Sequence, residues 1–425
     1  MIVKTVSANF AIQAITFATS VLTARILGPV GRGELALVLL YPMLVANLIF
    51  MGVDRAVALL GGRGDLARPV TTILKLVLLF SVPAMIVGYM TVHWRVTDLH
   101  LSKLSTLYLV YIPAMYFFML VVFLFNGAGD FLRFNLARIW FYIYNLALLL
   151  VVWAATPANI LDWVVLANLL AVYGAMTTAV WFLRGHKHPA VRTDAVDKNE
   201  VKAVIGVAAF FAPAVMLANF SGAAYQILLE HLMGVGPLGL FVVYFSYSRL
   251  LSPVGSAIGS HLFHLGISGG KTDIARICRQ SLLVYLICAL PLWLIASWLI
   301  PMVYGRDFAG DSGAIGFLFI SCLFALTADS MTEFLKGRQK VATDIGGRVI
   351  YLAVLGILGW MLLPSIGLIG LALALAVGDM LRCGYLVSRI SREMELSNSE
   401  FWRITRADLT AVLHAGKKVV RGFSA

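Results

Sequence analysis

Charged side chains stranded inside long apolar runs are the residues of this chain with chemistry to offer. Arg25, Asp54, Arg55 and Lys75 stand in such runs in the first half, and Glu230, Arg249, Asp329, Glu333, Asp379 and Arg382 in the second. A charge held at mid-bilayer costs at least a few kcal/mol, so it is kept where a partner or a wet cavity receives it. Lys75 begins its run, where a long side chain reaches the interface. Arg25 ends its run, and both that reach and a site fit it. Asp379 and Arg382, three positions apart, suit a self-neutralising pair on one helix face. Asp329 and Glu333, four apart, would repel. A bound cation or one shared proton would relieve them, and a solvated helix end explains them equally. Arg249 lies near the middle of its run and is hardest to assign to an interface.

The company these charges keep narrows the chemistry. Arg25, Asp54 and Arg55 lie on the first two apolar runs and Arg249 on the eighth. The first, second, seventh and eighth runs also carry Asn9, Gln13, Asn47, Asn219, Gln226, Tyr244 and Tyr247. The planar arginine fork donates two hydrogen bonds to a phosphate and keeps its charge at any physiological pH. Asn, Gln and Tyr suit sugar hydroxyls. A ligand with phosphates, sugars and a lipid tail would match Arg25, Arg55, Arg249, Asp54, Asn9, Asn47, Asn219, Gln226 and Tyr247. Asp329 and Glu333 are the candidates for ion coupling. The sequence holds no phosphate-cradling glycine–lysine loop, no HExxH and no serine elbow. Its cysteines, Cys278, Cys288, Cys322 and Cys383, have no metal-ligand spacing. No catalytic residue, cofactor or metal is expected.

The elements that must hold these residues follow from composition. Of 425 residues, 60% are hydrophobic and 13% charged, with mean hydropathy +0.90. A soluble domain is roughly 45–50% apolar and about 25% charged. The chain is therefore expected to be an all-α polytopic membrane protein with about twelve transmembrane helices. Unbroken apolar runs exclude a β-barrel, whose strands alternate. The predicted spans run from 5–27 and 34–60 to 344–364 and 367–390, punctuated by GPVGRG at 28–33, NGAG at 126–129 and GVGP at 234–237. The opening residues, broken by Asn9, Gln13 and Thr16, read as a retained span rather than a cleaved leader.

Lys and Arg crowd one set of connections, leaving Arg32, Arg95, Lys103 and Arg306 on the other side. Both termini are thus expected in the cytoplasm, and the net charge of +12 reflects topology rather than nucleic-acid binding. Residues 184–200 read as a cytoplasmic linker between lobes 1–183 and 201–391. LGPVGRGEL at 27–35 and MGVGPLGLF at 233–241 mark an internal repeat offset by 206 positions, pairing Gly28 with Gly234 and Gly33 with Gly239. The basic tail, 392–425, places Phe401, Trp402, Ile404, Leu409, Val412, Leu413 and Val419 on one helical side. Two readings stand for it: an amphipathic helix on an anionic leaflet, or a basic tail that only enforces topology.

LTARILGPVGRGELALVLL at 22–40 and MGVDRAVAL at 51–59 resemble the start of bacterial polysaccharide-repeat-unit flippases of the Wzx type, within the multidrug/oligosaccharidyl-lipid/polysaccharide exporter superfamily. LMGVGPLGLFVVYFSYSRLLSPVGSAIGSHLF at 232–263, LIPMVYGRDFAG at 299–310 and LLPSIGLIGLALALAVG at 362–378 resemble later segments of that family. The resemblance implies two six-helix lobes around a central cavity, and alternating access that moves an undecaprenyl-diphosphate-linked oligosaccharide across the bacterial inner membrane, with polysaccharide assembly proteins as further partners. It implies that Arg25, the pair Asp54 and Arg55, and Arg249 take the roles of family motif residues. Gln226 departs from the pattern, since many relatives carry an acid there. A cation-coupled multidrug exporter of the same superfamily is the alternative. A membrane polymerase or ligase would need a larger outer loop than any in this sequence.

Overall fold

The computed structural model describes residues 2–63, 65–66, 69–184, 198–268, 274–310, 312–338 and 340–412. Most of the expected linker, and Leu413 and Val419 of the tail, lie outside them. Among the described residues every regular element is helical.

The first helix, α1 (Ile2–Ile49), holds two spans joined at a single non-helical residue, Gly28, with φ 67° and ψ −177°. Glycine takes this conformation without a Cβ clash. Pro29 then restarts the helix at the one position where a missing N–H costs nothing. The turn expected over 28–33 therefore shrinks to one residue, and Arg32 stands in a helix rather than a loop. After a bend at 50–52, α2 (Val53–Arg63) prolongs the second span. Then come α3 (Pro69–Arg95), α4 (Leu99–Tyr108), α5 (Tyr111–Gly127), α6 (Phe131–Ala155) and α7 (Ile160–Arg184). Gly234, with φ 81°, separates α8 (Lys198–Met233) from α9 (Val235–Ser248). Gly28 and Gly234 are the positions the internal repeat pairs, and both use a left-handed backbone.

The eighth predicted span is not one helix. A 3-10 turn at Arg249–Leu251 interrupts it before α10 (Ser252–Ser268). Pro253 gives the reason. Its ring opposes the carbonyl four residues back, that of Arg249, and removes one helical donor. The chain continues through α11 (Ile274–Tyr304), α12 (Ser312–Gly337), α13 (Val341–Ile366), α14 (Leu368–Met394) and the short α15 (Asn398–Trp402).

Among the described residues, ten helical stretches are long and apolar enough to cross a membrane. One of these, Ala8–Ile49, is the double span broken at Gly28. The α9–α10 pair, 14 and 17 residues on either side of the 3-10 turn, adds another. The sequence expectation of about twelve spans is met in this way. Leu78, Trp298 and Met361 are each more than 60% exposed on α3, α11 and α13. Such side chains suit lipid rather than water.

The chain forms two compact units, Met1–Val243 and Tyr244–Ala425, with the boundary inside α9. In the first, α1 packs on α3, α6 and α8, while α2 packs on α5 and α8. Its core has two clusters, one around Val38, Ile112 and Val164, the other around Val57, Leu120 and Phe125. In the second, α12 lies against α10, α11 and α14, and α13 pairs with α14 through a turn at Gly367.

Candidate functional site

A cavity of about 410 Å³, mostly apolar with a few polar side chains, opens within the first unit. Two helices supply most of its lining by simple periodicity. The second half of α1 presents Arg32, Ala36, Leu39, Met43 and Asn47, spaced three to four apart along one stripe. From α8 come Asn219, Gly222 and Gln226, also one stripe. Ala36, Gly222 and Ala223 keep the space open because they have little or no side chain. The stripe from Arg32 to Asn47 is 15 residues long, about 22 Å at 1.5 Å per residue. A cation therefore stands at one end and the Asn47 amide at the other, with apolar walls between.

The amide end is fixed by hydrogen bonds. The Tyr116 hydroxyl donates to Asn47 Oδ1 at 2.7 Å, and its ring stacks on Phe50 at a centroid distance of 3.6 Å. Asn219 Nδ2 donates to the Asn47 carbonyl at 3.3 Å. Gln226 Nε2 donates to the Tyr225 hydroxyl at 3.1 Å. Half-buried amides placed this way present fixed donors and acceptors.

Of the residues singled out by sequence, Asn47, Asn219 and Gln226 meet in this cavity. Others of the first unit stand elsewhere. Asn9 accepts from Arg138 Nη1 at 3.3 Å. Asp54 and Arg55 pair with each other at 3.7 Å, and Arg55 lies 5.4 Å over the Phe123 ring. Arg25 is exposed on the first half of α1. The turn residues around Arg32 predict a loop, yet it is the cation of the cavity. The signal for it was present: Arg32 is in helical register with Ala36, Met43 and Asn47. Tyr116, on the plain fifth helix, had no such signal.

The second unit holds a separate network of charges. Arg382 Nη2 lies 2.9 Å from Asp329 Oδ1 and 3.7 Å from Asp344 Oδ1. Arg348 Nε lies 3.2 Å from Asp344 Oδ1. The Thr332 hydroxyl donates to Asp344 at 3.0 Å. Asp379 accepts from the Ser321 hydroxyl at 2.6 Å, so Arg382 turns to neighbouring helices rather than to Asp379. Asp344, Asp379 and Arg382 are buried, while the Asp329 side chain is 45% exposed. Glu333 pairs with Lys336. Each of the two acids proposed for ion coupling thus faces a basic partner. Arg249, in the 3-10 turn, holds its guanidinium 4.7 Å over the Phe245 ring. Tyr247 is buried and donates to the Leu292 carbonyl at 2.8 Å.

No protein-family profile and no curated protein sequence matches the chain. Solved structures match it in shape. An inward-facing multidrug resistance MATE family transporter of the MOP superfamily aligns with a TM-score of 0.72 at 14% identity, covering 91% of this chain and 96% of its own. The lipid II flippase MurJ in an inward closed conformation aligns with a TM-score of 0.76 at 11% identity, covering 97% and 92%. A MATE transporter of Vibrio cholerae gives 0.65 at 12% identity, covering 95% and 98%. These likenesses establish the fold. The chain shares the all-α, polytopic fold of these solved structures, as the sequence resemblance implied.

Proposed function

We propose that a chain with this transporter fold moves an undecaprenyl-diphosphate-linked oligosaccharide across the bacterial inner membrane by alternating access. The observation that carries the reading is the cavity of the first unit. Arg32 offers a permanent cation to a diphosphate. Asn47, Asn219 and Gln226, about 22 Å from it at their far end, offer hydrogen bonds to sugar hydroxyls. Leu39 and Met43 wall the space between. The fold shared with a lipid II flippase supports a lipid-linked cargo. A cationic drug would meet Arg32 and, among the described lining residues, no carboxylate.

The positive-inside distribution supports cytoplasmic termini, and Arg25, Asp54, Arg55, Asn9, Arg249 and Tyr247 remain candidates for contacts made elsewhere in the transport cycle. The test is a flipping assay in proteoliposomes with a fluorescent prenyl-diphosphate oligosaccharide. The native chain is expected to flip it, and the folded variants Arg32→Ala and Arg249→Ala are expected to be slow. A native chain that ignores this lipid and exports cationic dyes would replace the reading with the drug-exporter alternative.

A further inference from the structure

At the end of the second unit where α11 begins and α14 ends, a segment of the tail is clamped to the protein. Over 398–412 it is not the single amphipathic helix that one of its two readings expects. Ser397 caps α15 through a capping box with Glu400, and the chain turns at 403–405 before a second short helix at 406–412. Phe401 is buried in a cluster with Cys278, Ile390 and Met394. Arg279 of α11 donates to Asp408 Oδ2 at 2.9 Å and to the Glu400 carbonyl. Asp408, itself buried, also accepts from the Thr405 amide at 3.0 Å and the Thr405 hydroxyl at 2.7 Å.

With Phe401 and Asp408 turned inward, the outward side is settled. Trp402, Ile404 and Leu409 are each about 40% exposed. Arg403 and Arg406 are exposed between them. The first turn of α11 adds exposed Arg276, and the last turns of α14 add exposed Arg389 and Arg392. Five arginines thus collar this end, against the exposed acids Glu395 and Glu400. A strap facing only water has no use for Trp, Ile and Leu. A strap meant for an apolar protein partner has no use for the arginines. Both residue types suit the level at which membrane-spanning helices leave the hydrocarbon.

We propose that residues 398–412 form an interfacial anchor for anionic lipid. Arg403, Arg406 and the neighbouring arginines engage headgroup phosphates, while Trp402, Ile404 and Leu409 enter the acyl boundary. The clamp through Arg279 and Asp408 sets the depth of the strap. This inference stands apart from the cargo of the transporter.

The test uses the full chain with Cys288→Ser, leaving the buried Cys278, Cys322 and Cys383 unlabelled. Ile404→Cys and, separately, Leu409→Cys carry a bimane label in nanodiscs of phosphatidylcholine, with or without phosphatidylglycerol. The expected result is a blue-shifted emission quenched by doxyl-labelled lipid. Quenching should be about twofold stronger with phosphatidylglycerol and lose that increment at high salt or in Arg403→Gln/Arg406→Gln. Water-like emission from both labels in both nanodiscs would overturn the proposal. So would a dry label that doxyl lipid does not quench, because protein would then cover the strap.

Discussion

Gly239 of α9 lies directly on the carbonyl of Pro29 in α1: a Cβ at Gly239 would stand 1.8 Å from that oxygen. The mirror contact is also made. A Cβ at Gly33 would stand 1.9 Å from the carbonyl oxygen of Val235. Gly33 and Gly239 are 206 positions apart, as are Pro29 and Val235. The two copies of the repeat therefore clasp each other reciprocally, each glycine admitting the backbone of the other copy. Contact that close is open only to a residue without a side chain.

The clasp predicts matched effects. Gly33→Ala and Gly239→Ala each force α1 and α9 apart and should destabilise the clasped conformation by about 1–3 kcal/mol. Thermal unfolding in detergent should fall for both, and a cysteine replacing Met43 in the cavity should label faster. An Ala variant as stable and as protected as the native chain would contradict the contact.

At the cavity, Arg32→Ala removes a charge-assisted contact of about 1.5–3 kcal/mol, a loss of roughly 10- to 100-fold in affinity for a prenyl-diphosphate oligosaccharide. Arg32→Lys keeps the charge but not the fork and should recover only part of it. Equilibrium binding of a fluorescent analogue measures both.

Tyr116→Phe should leave the packing against Phe50 intact and release the Asn47 amide. The expected loss is about 1 kcal/mol, roughly fivefold, for a glycan-bearing lipid. Binding of a sugar-free prenyl diphosphate should be unchanged. Equal losses for the two lipids would mean that Asn47 does not read the sugar.

Removing Arg382 takes the nearest cation from Asp329 and leaves the buried Asp344 to Arg348 and Thr332. Arg382→Met should cost about 1.5–3 kcal/mol, and adding Asp329→Asn should return part of it. Thermal unfolding of the single and combined variants gives the answer.

The tail clamp has a defined pH window. Burial alone would raise the Asp408 carboxyl. The Thr405 hydroxyl, Arg279 and the Thr405 amide outweigh it and hold the pKa at about 2. A carboxyl depressed below its ordinary value near 3.9 stabilises the fold above that value and stops doing so as pH falls through about 2. Hydrogen exchange over 398–412 should be constant from neutral pH down to about 5 and rise below about 4, once corrected for intrinsic rates. Asp408→Asn should be loose at all pH values.

Much of this protein is local in its causes. Hydropathy marks the spans, because a membrane helix satisfies its own backbone and needs only apolar side chains. Gly28 and Gly234 mark the joints, since each is followed by a helix start that tolerates no other backbone turn so short. The stripe Arg32, Met43, Asn47 and the stripe Asn219, Gln226 are readable as helix faces. Tertiary structure alone decided which faces meet. It turned Arg32 from a loop residue into the cavity's cation, chose Tyr116 to hold Asn47, and gave Arg382 to Asp329 and Asp344 rather than to the nearby Asp379. It also folded the tail back onto Arg279, where its pattern left a leaflet-bound helix and a topology-only basic tail both open. The partners in these cases lie 38 to 129 positions apart. No periodicity along a chain specifies contacts at that range; they follow from how the helices pack.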